Sequence, residues 1–290
     1  MGMSQTRSQR EIFDSSPVPR AASASERARA NDLNGTEWIQ NSVSIWSDIR
    51  KTPEELKLGH PAMFPVALVR KLLKCFTNGR QRVVLDPFLG SGSTLIAAMT
   101  LGKGGVGFDI SDDYINLARL RLSSQVEMFG SDSVECRVIK DDARNISNHL
   151  EKETVDICIT SPPYWNILSQ KRTADYKEIK DYDVQDGNLG SIDSYQRFLR
   201  ELVSVFEGVN IVLKKSAYCI VNIMDIRKRS KFYPLHSDFA RAMEDLGFIY
   251  DDLIVWDRRH EYNNFRPLGY PAVFRVNRAH EYLLIFQKKK

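Results

Sequence analysis

The stretch from Val83 to Thr94 limits most narrowly what this chain can fold into. An apolar run, Val83-Val84-Leu85, ends in an acid and continues as Asp86-Pro87-Phe88-Leu89-Gly90-Ser91-Gly92-Ser93-Thr94. A helical pattern follows, from about Thr94 to Leu101. A short apolar run bounded by turn residues reads as a buried strand. Glycines in the turn behind it permit positive φ and let backbone approach a ligand closely. Doubly wound sheets bind their ligands beyond the carboxyl ends of the strands, so this turn marks a candidate binding edge. The spacing is neither GxGxxG nor GxxxxGK[ST], which argues against a pyrophosphate or a nucleotide triphosphate loop.

The same alternation continues along the chain. Gly105 to Asp109 reads as a second strand, Cys136 to Ile139 as a third, Val155 to Thr160 as a fourth, and Tyr218 to Met224 as a fifth. Helical patterns separate them, at Ser111 to about Ser124 and at Ser194 to Leu213. Another helix is expected over Leu235 to Leu246, then strands over Phe248 to Trp256 and Tyr282 to Phe286. An amphipathic helix over Pro65 to Phe76 precedes the first strand. Strands alternating with helices predict a mostly parallel, seven-stranded α/β sheet of Rossmann-like type. The last two strands lack an intervening helix, which predicts a terminal antiparallel hairpin. Residues 1–34 have few large apolar side chains and read as a disordered arm. Residues 35–290 then form a single domain.

The acidic residues at the strand ends suggest the ligand. Asp86 is placed to hold a cationic amino group, with Pro87, Phe88, Gly90, Gly92, Ser93 and Thr94 forming the turn around it. Asp109, followed by Ile110, closes the next strand about 20 residues on, where an acid can accept both hydrogen bonds of a ribose diol. Asp141 and Asp142 stand past the third strand, within reach of an adenine amino group. Together these describe an adenosine carrying an amino-acid tail, namely S-adenosylmethionine. The plainer reading of Asp109 or Asp142 alone is a helix cap.

The fourth strand runs into Thr160-Ser161-Pro162-Pro163-Tyr164-Trp165. Two prolines end ladder pairing, stiffen the backbone and leave carbonyls available. An aromatic amino group is a poor nucleophile, because its lone pair is delocalised into the ring. Acceptors aimed at its two hydrogens favour a pyramidal nitrogen that can attack a sulfonium methyl. Ser161 Oγ and the Pro162 carbonyl are the expected acceptors, and Tyr164 the platform for an extruded base. Such stacking contributes roughly 1–3 kcal/mol against a flipping cost of a few. The plainer reading is a strand-ending turn with a core aromatic.

The pairing of Asp86–Thr94 with Thr160–Trp165 resembles the amino-methyltransferase family of DNA methylases, whose cytosine-N4 members usually carry SPPY and whose adenine-N6 members usually carry DPPY. The likeness covers about residues 36–290. Ser44-Ile45-Trp46 and His60-Pro61-Ala62-Met63-Phe64-Pro65 are similar to the family segment that packs over the methionine end of the cofactor, which implies cofactor contacts for Trp46, His60 and Pro61. Ala279 to Phe286 is similar to its final strand. The resemblance implies a methyltransferase fold, S-adenosylmethionine as cofactor and double-stranded DNA as substrate. It also implies cytosine N4 as the target, with adenine N6, an RNA amino group and a non-catalytic cofactor-dependent DNA binder as alternatives. A cognate restriction endonuclease is the partner that it suggests. Carbon-5 methylation would need a thiolate, usually in a Pro-Cys pair, and the chain has none.

DNA contacts are expected from two segments past the strand ends, at about 165–190 and 257–278. The first carries Trp165, Lys171 and Arg172; the second carries Arg258, Arg259 and Arg266; Arg227 heads a further basic cluster. Arginine and asparagine can read bases in the major groove while other cations hold phosphates. A solvated surface hairpin is the alternative for each. The net charge of +4 permits a polyanionic partner without requiring one. Four scattered cysteines and five histidines lack metal-ligand spacing, so no metal is expected, and Cys158 and Cys219 read as buried free thiols. No apolar run approaches the roughly 18 residues that span a bilayer. A cytoplasmic protein associated with the nucleoid through DNA is expected, as monomer or homodimer.

Overall fold

A computed structural model describes residues 29–58, 63–129, 134–166, 188–261 and 267–290. Two short helices come first, α1 (Gly35–Asn41) and α2 (Pro53–Lys57), flanking a two-residue strand β1 (Ile45–Trp46). Asn34 and Thr52 cap these helices, each with a glutamate three residues on that returns the hydrogen bond. Then follow α3 (Val66–Phe76), β2 (Val83–Asp86), α4 (Ser93–Thr100), β3 (Gly104–Asp109), α5 (Asp112–Phe129), β4 (Cys136–Lys140), α6 (Ile146–His149) and β5 (Val155–Thr160). The second half holds α7 (Tyr195–Val212), β6 (Leu213–Ile223), β7 (Ile226–Lys228), β8 (Lys231–Tyr233), α8 (Leu235–Asp245), β9 (Phe248–Asp257) and β10 (His280–Lys288).

The main sheet has eight strands in the order β1-β9-β10-β6-β5-β2-β3-β4. Strands β6, β5, β2, β3 and β4 run parallel, while β10 is antiparallel to both β6 and β9. The expected α/β architecture and terminal hairpin are therefore present, but the strand count is eight, not seven. The extra strand is Ile45–Trp46, parallel to Val255 and Trp256. Two residues are too few to leave a period in the sequence. Likewise β7 and β8 form a small separate hairpin inside the basic cluster, where charge hides the alternation.

Layers of apolar side chains bury both faces of the sheet, which is why its central strands read as continuous apolar runs. On one face Val84, Ile157, Ile159 and Ile220 pack against Leu68, Leu72 and Leu73 of α3. On the other, Leu85, Cys158 and Phe286 pack against Phe198, Leu202 and Phe206 of α7 and Phe239 of α8. Cys158 and Cys219 sit side by side across β5 and β6 as buried free thiols, in keeping with expectation.

The last residues of the expected arm are ordered. Asn31 Nδ2 donates to the Cys75 carbonyl at 2.7 Å, and both Asn31 and Leu33 are buried. Residues 29–34 thus tie down onto the end of α3, and residues 1–28 lie outside the described residues. No helix among the described residues is long and apolar enough to cross a membrane.

Candidate active site

The carboxyl ends of β2, β3, β4 and β5 open into one cavity of about 240 Å³, far more than the roughly 10–15 Å³ one water needs. One wall is the turn after β2, with Pro87, Phe88, Leu89, Gly90, Ser91 and Ser93. Asp109, Ile110 and Ser111 continue it past β3, and Asp141 and Asp142 past β4. Ser161, Pro162 and Pro163 stand past β5. Met63 and Phe64 close the side nearest α3. The glycine turn and the proline corner therefore share one edge and one space.

The two strand-ending acids differ sharply. Asp86 is fully buried and does not line the cavity. Thr160 Oγ1 and the Phe88 N–H donate to Asp86 Oδ1 at 2.6 and 3.0 Å, and Thr94 Oγ1 donates to Oδ2 at 2.5 Å. Burial pushes its carboxyl up to about 6, although these hydrogen bonds pull the other way. The expectation that Asp86 grips a ligand ammonium is thus corrected: its oxygens face Thr94 and Thr160, and it fixes the turn. Thr94 and Gly92 belong to that scaffold too. Gly92 caps α4 at φ +85°, and a Cβ there would stand 3.1 Å from that of Ala118.

Asp109 does line the cavity. Its Oδ2 accepts from the Gly90 N–H at 2.8 Å and its Oδ1 from the Ser111 N–H at 2.9 Å. Burial raises its carboxyl above the usual range, against the pull of those amides. A carboxylate has about four acceptor sites, so capacity for a diol remains. Asp141 and Asp142 are more committed. His149 Nε2 and Asn145 Nδ2 contact Asp141 at 2.6 and 2.9 Å, and the His149 bond leads in lowering its pKa. Asp142 caps the short turn at Ala143–Asn145 and pairs with the Arg144 guanidinium. Burial raises the Asp142 carboxyl, but the Arg144 bonds outweigh it and the net direction is down. Asp142 is both a cap and part of the wall.

A polar network backs the proline corner. Ser161 Oγ lies 3.1 Å from Tyr164 Oη, which donates to Glu281 Oε2 at 2.9 Å. Asn222 Nδ2, from β6, donates to Tyr164 Oη at 3.0 Å and to Ser161 Oγ at 3.3 Å, and also to Glu281. Arg258 ion-pairs with Glu281 and with Glu261, over the face of Trp256. Tyr164 is half-buried beside the cavity rather than among its lining residues. Sequence reading missed Asn222 and Glu281. Their signal was a polar residue inside the buried run Ile220–Ile223 and an acid opening the last apolar run.

Several expected contacts are placed elsewhere. Trp46 is core: its indole N–H donates to the Asn41 carbonyl, Lys71 lies over its ring, and it does not reach the cavity. Trp165 is also core, wedged against Tyr195 and Tyr233 with its indole N–H on the Ile192 carbonyl at 2.6 Å. Its expected DNA contact is therefore corrected. Arg258 is corrected likewise, since its guanidinium is held in the corner behind Glu281. Arg259 pairs with Asp257 but stays exposed, and Arg227 lies on Phe232 in the β7–β8 hairpin. His60, Pro61, Lys171, Arg172 and Arg266 lie outside the described residues. Among the described residues no group of three His, Cys, Asp or Glu side chains is placed to hold a metal.

Comparison with known proteins adds the family. A family model described as DNA methylase matches residues 6–120 and 155–290. The type II methyltransferase M.ScaI of Streptomyces caespitosus is 38% identical over 94 residues, 30% of each chain. M.MjaI, a type II methyltransferase of Methanocaldococcus jannaschii, is 28% identical over 172 residues, 53% of this chain and 56% of that one. Among solved structures, TrmN of Thermus thermophilus superposes with a TM-score of 0.48 at 17% identity, over 79% of this chain and 50% of that one. The chain spans 30% and 56% of the length of the two curated relatives.

Proposed function

The chain belongs to the DNA methylase family, and from that premise we propose that it transfers a methyl group from S-adenosylmethionine to the N4 amino group of cytosine in double-stranded DNA. The observation that carries this reading is the shared cavity, with Gly90 and Asp109 on one side and Ser161 to Pro163 on the other. When bound, the cofactor supplies an electrophilic methyl on a sulfonium. Asp109 accepts from the ribose hydroxyls, and Asp141 or Asp142 accepts from the adenine amino group. Gly90, without a side chain, lets the amino-acid tail pass close to the backbone, and Met63 and Phe64 cover it.

On the target side, Ser161 Oγ and the Pro162 carbonyl accept the two amino hydrogens. This draws the nitrogen lone pair out of the ring and towards the methyl. Tyr164 stacks on the extruded base, and the displaced proton leaves to water. Alignment of this kind supplies several kcal/mol of rate enhancement without metal or covalent intermediate. A neutral serine with one lone pair to offer suits cytosine, and adenine N6 is the second reading. Arg227, in the β7–β8 hairpin, and the exposed Arg259 hold phosphates. We further propose cytoplasmic action beside a cognate restriction endonuclease, as the type II names of the relatives suggest.

Incubation of plasmid DNA with labelled cofactor, followed by nucleoside analysis, tests this directly. Labelled N4-methylcytosine is expected. N6-methyladenine would move the target base, label only in RNA would move the substrate, and bound cofactor without transfer would favour a DNA-binding role.

A further inference from the structure

Glu281 and Ser161 are 120 positions apart in the chain, yet one hydroxyl separates them in the structure. Glu281 is buried at the start of β10, and its carboxylate can only accept hydrogen bonds, since Arg258 ion-pairs with it from behind. The Tyr164 hydroxyl therefore spends its single proton on Glu281 Oε2. Tyr164 Oη and Ser161 Oγ stand 3.1 Å apart, and one of them must donate. With the tyrosine proton already committed, the donor is Ser161. Asn222 Nδ2 reinforces this direction, because it lies within hydrogen-bond distance of Ser161 Oγ, Tyr164 Oη and Glu281 Oε2 and can only donate its two hydrogens among them.

We infer that Glu281 is a positioning residue that sets the polarity of this relay and so makes Ser161 an obligate acceptor towards the cavity. An unrestrained serine hydroxyl can rotate, accepting from an amino group or donating to a carbonyl. Here its proton is drawn away to Tyr164, and a lone pair is left for the cavity that Ser161 lines. The corner then welcomes a base edge that carries an amino group and refuses one that carries an oxo group in the same place. Cytosine is thereby told apart from thymine or uracil, and adenine from hypoxanthine, by a residue that never touches the base. This inference rests on the amino-methyltransferase reading and adds to it the origin of the donor-acceptor selectivity.

Glu281→Gln is the informative change. Arg258 will draw the amide oxygen of the new side chain, turning its N–H₂ towards Tyr164. The tyrosine proton is then pushed to Ser161, and the serine proton into the cavity.

The test uses the full-length chain. Modified-base sequencing of DNA from expressing cells first fixes the target site. Two duplexes are then compared, identical except that the target base carries its amino group or an oxo group. The unaltered enzyme is expected to bind the amino duplex about tenfold more tightly, the range set by one unsatisfied polar pairing. Glu281→Gln should bring that ratio to one or below and lower kcat by about tenfold or more. Its melting temperature and its affinity for S-adenosylmethionine should stay near those of the unaltered enzyme. Tyr164→Phe breaks the same relay, so Glu281→Gln placed on top of it should cost less than threefold further. A Glu281→Gln enzyme that keeps both its kcat and its amino preference overturns the relay while leaving the function standing. Fully additive losses in the double variant do the same. An unaltered enzyme that methylates no DNA overturns the proposed function, and the relay with it.

Discussion

The two halves of the cavity are built on different principles. The half past β2, β3 and β4 presents strand-end carboxylates whose partners lie along that same edge: Asp109 is held by Ser111 two residues on and by Gly90 of the turn after β2, and Asp142 by Arg144. The half past β5, where we place the target base, presents a neutral serine whose partners come from β6, β10 and the end of β9. Partners confined to that edge make the first half robust to changes at β6 and β10. Distant partners make the second half sensitive to the register of the sheet. Asp86 belongs to both halves, since it ties Thr94 of α4 to Thr160 of β5. Separation of binding from turnover follows from this division, and each prediction below is a way to break it or refine it.

The largest effect is expected on the target side. Tyr164→Ala should remove most turnover, on the order of a hundredfold or more, through loss of the base platform at roughly 1–3 kcal/mol and of the relay behind it. Cofactor affinity should stay within a few fold by calorimetry. An equal loss of cofactor binding would merge the two halves and break the division.

Next comes the joint between them. Burial holds the Asp86 carboxyl up at about 6, above the ordinary aspartate value of 3.8, so the folded state holds its proton more tightly than the unfolded chain. The stability tied to that proton is fully present below the unfolded value and is lost as pH rises through about 6. The loss amounts to as much as about 3 kcal/mol. Asp86→Asn keeps the shape, because the Thr94 hydroxyl can turn to accept from the new amide. Urea unfolding across pH 4 to 7 should therefore show the variant gaining on the native protein as pH rises. Parallel curves would mean that the carboxyl is not charged at a cost.

On the cofactor side, Asp109→Ala should raise the S-adenosylmethionine Kd by about tenfold, as expected for a lost charged acceptor. At saturating cofactor the turnover should recover, and a kcat that stays low would assign Asp109 to the target half as well. The smallest effect distinguishes two arginines. Arg227→Ala should reduce the salt dependence of DNA binding by about one phosphate contact. Arg258→Ala should leave that slope unchanged and lower turnover, because it acts on Glu281 and not on phosphate.

The same division explains what was legible in the sequence. The central parallel strands β2 and β5 are buried and mostly apolar, so they could be read from short runs and turns, as could the apolar stretches of β3, β4 and β6. The glycine turn and the proline corner were legible because each is one unbroken stretch. What could not be read was any pairing made by sheet register. Asp86 and Asp109 look alike in sequence, and only the side-by-side placement of Thr160 with β2 seals the first. Arg258 looks like a DNA contact until Glu281 is set opposite Trp256 in the β9–β10 ladder. Trp165 resembled a DNA contact because an aromatic after a strand carries no mark of whether it faces in or out. Its burial depends on Tyr195 and Tyr233, from two later elements.

A crystal structure of the protein with the demethylated cofactor and a target duplex measures the central geometry directly. The account predicts the adenosine on Asp109 and an extruded base at Ser161. It also places the target amino nitrogen on the open side of the cofactor sulfur, with room for a methyl about 3–3.5 Å from that nitrogen. A cofactor seated away from the Gly90 turn, or a base held beyond reach of Ser161, would contradict it.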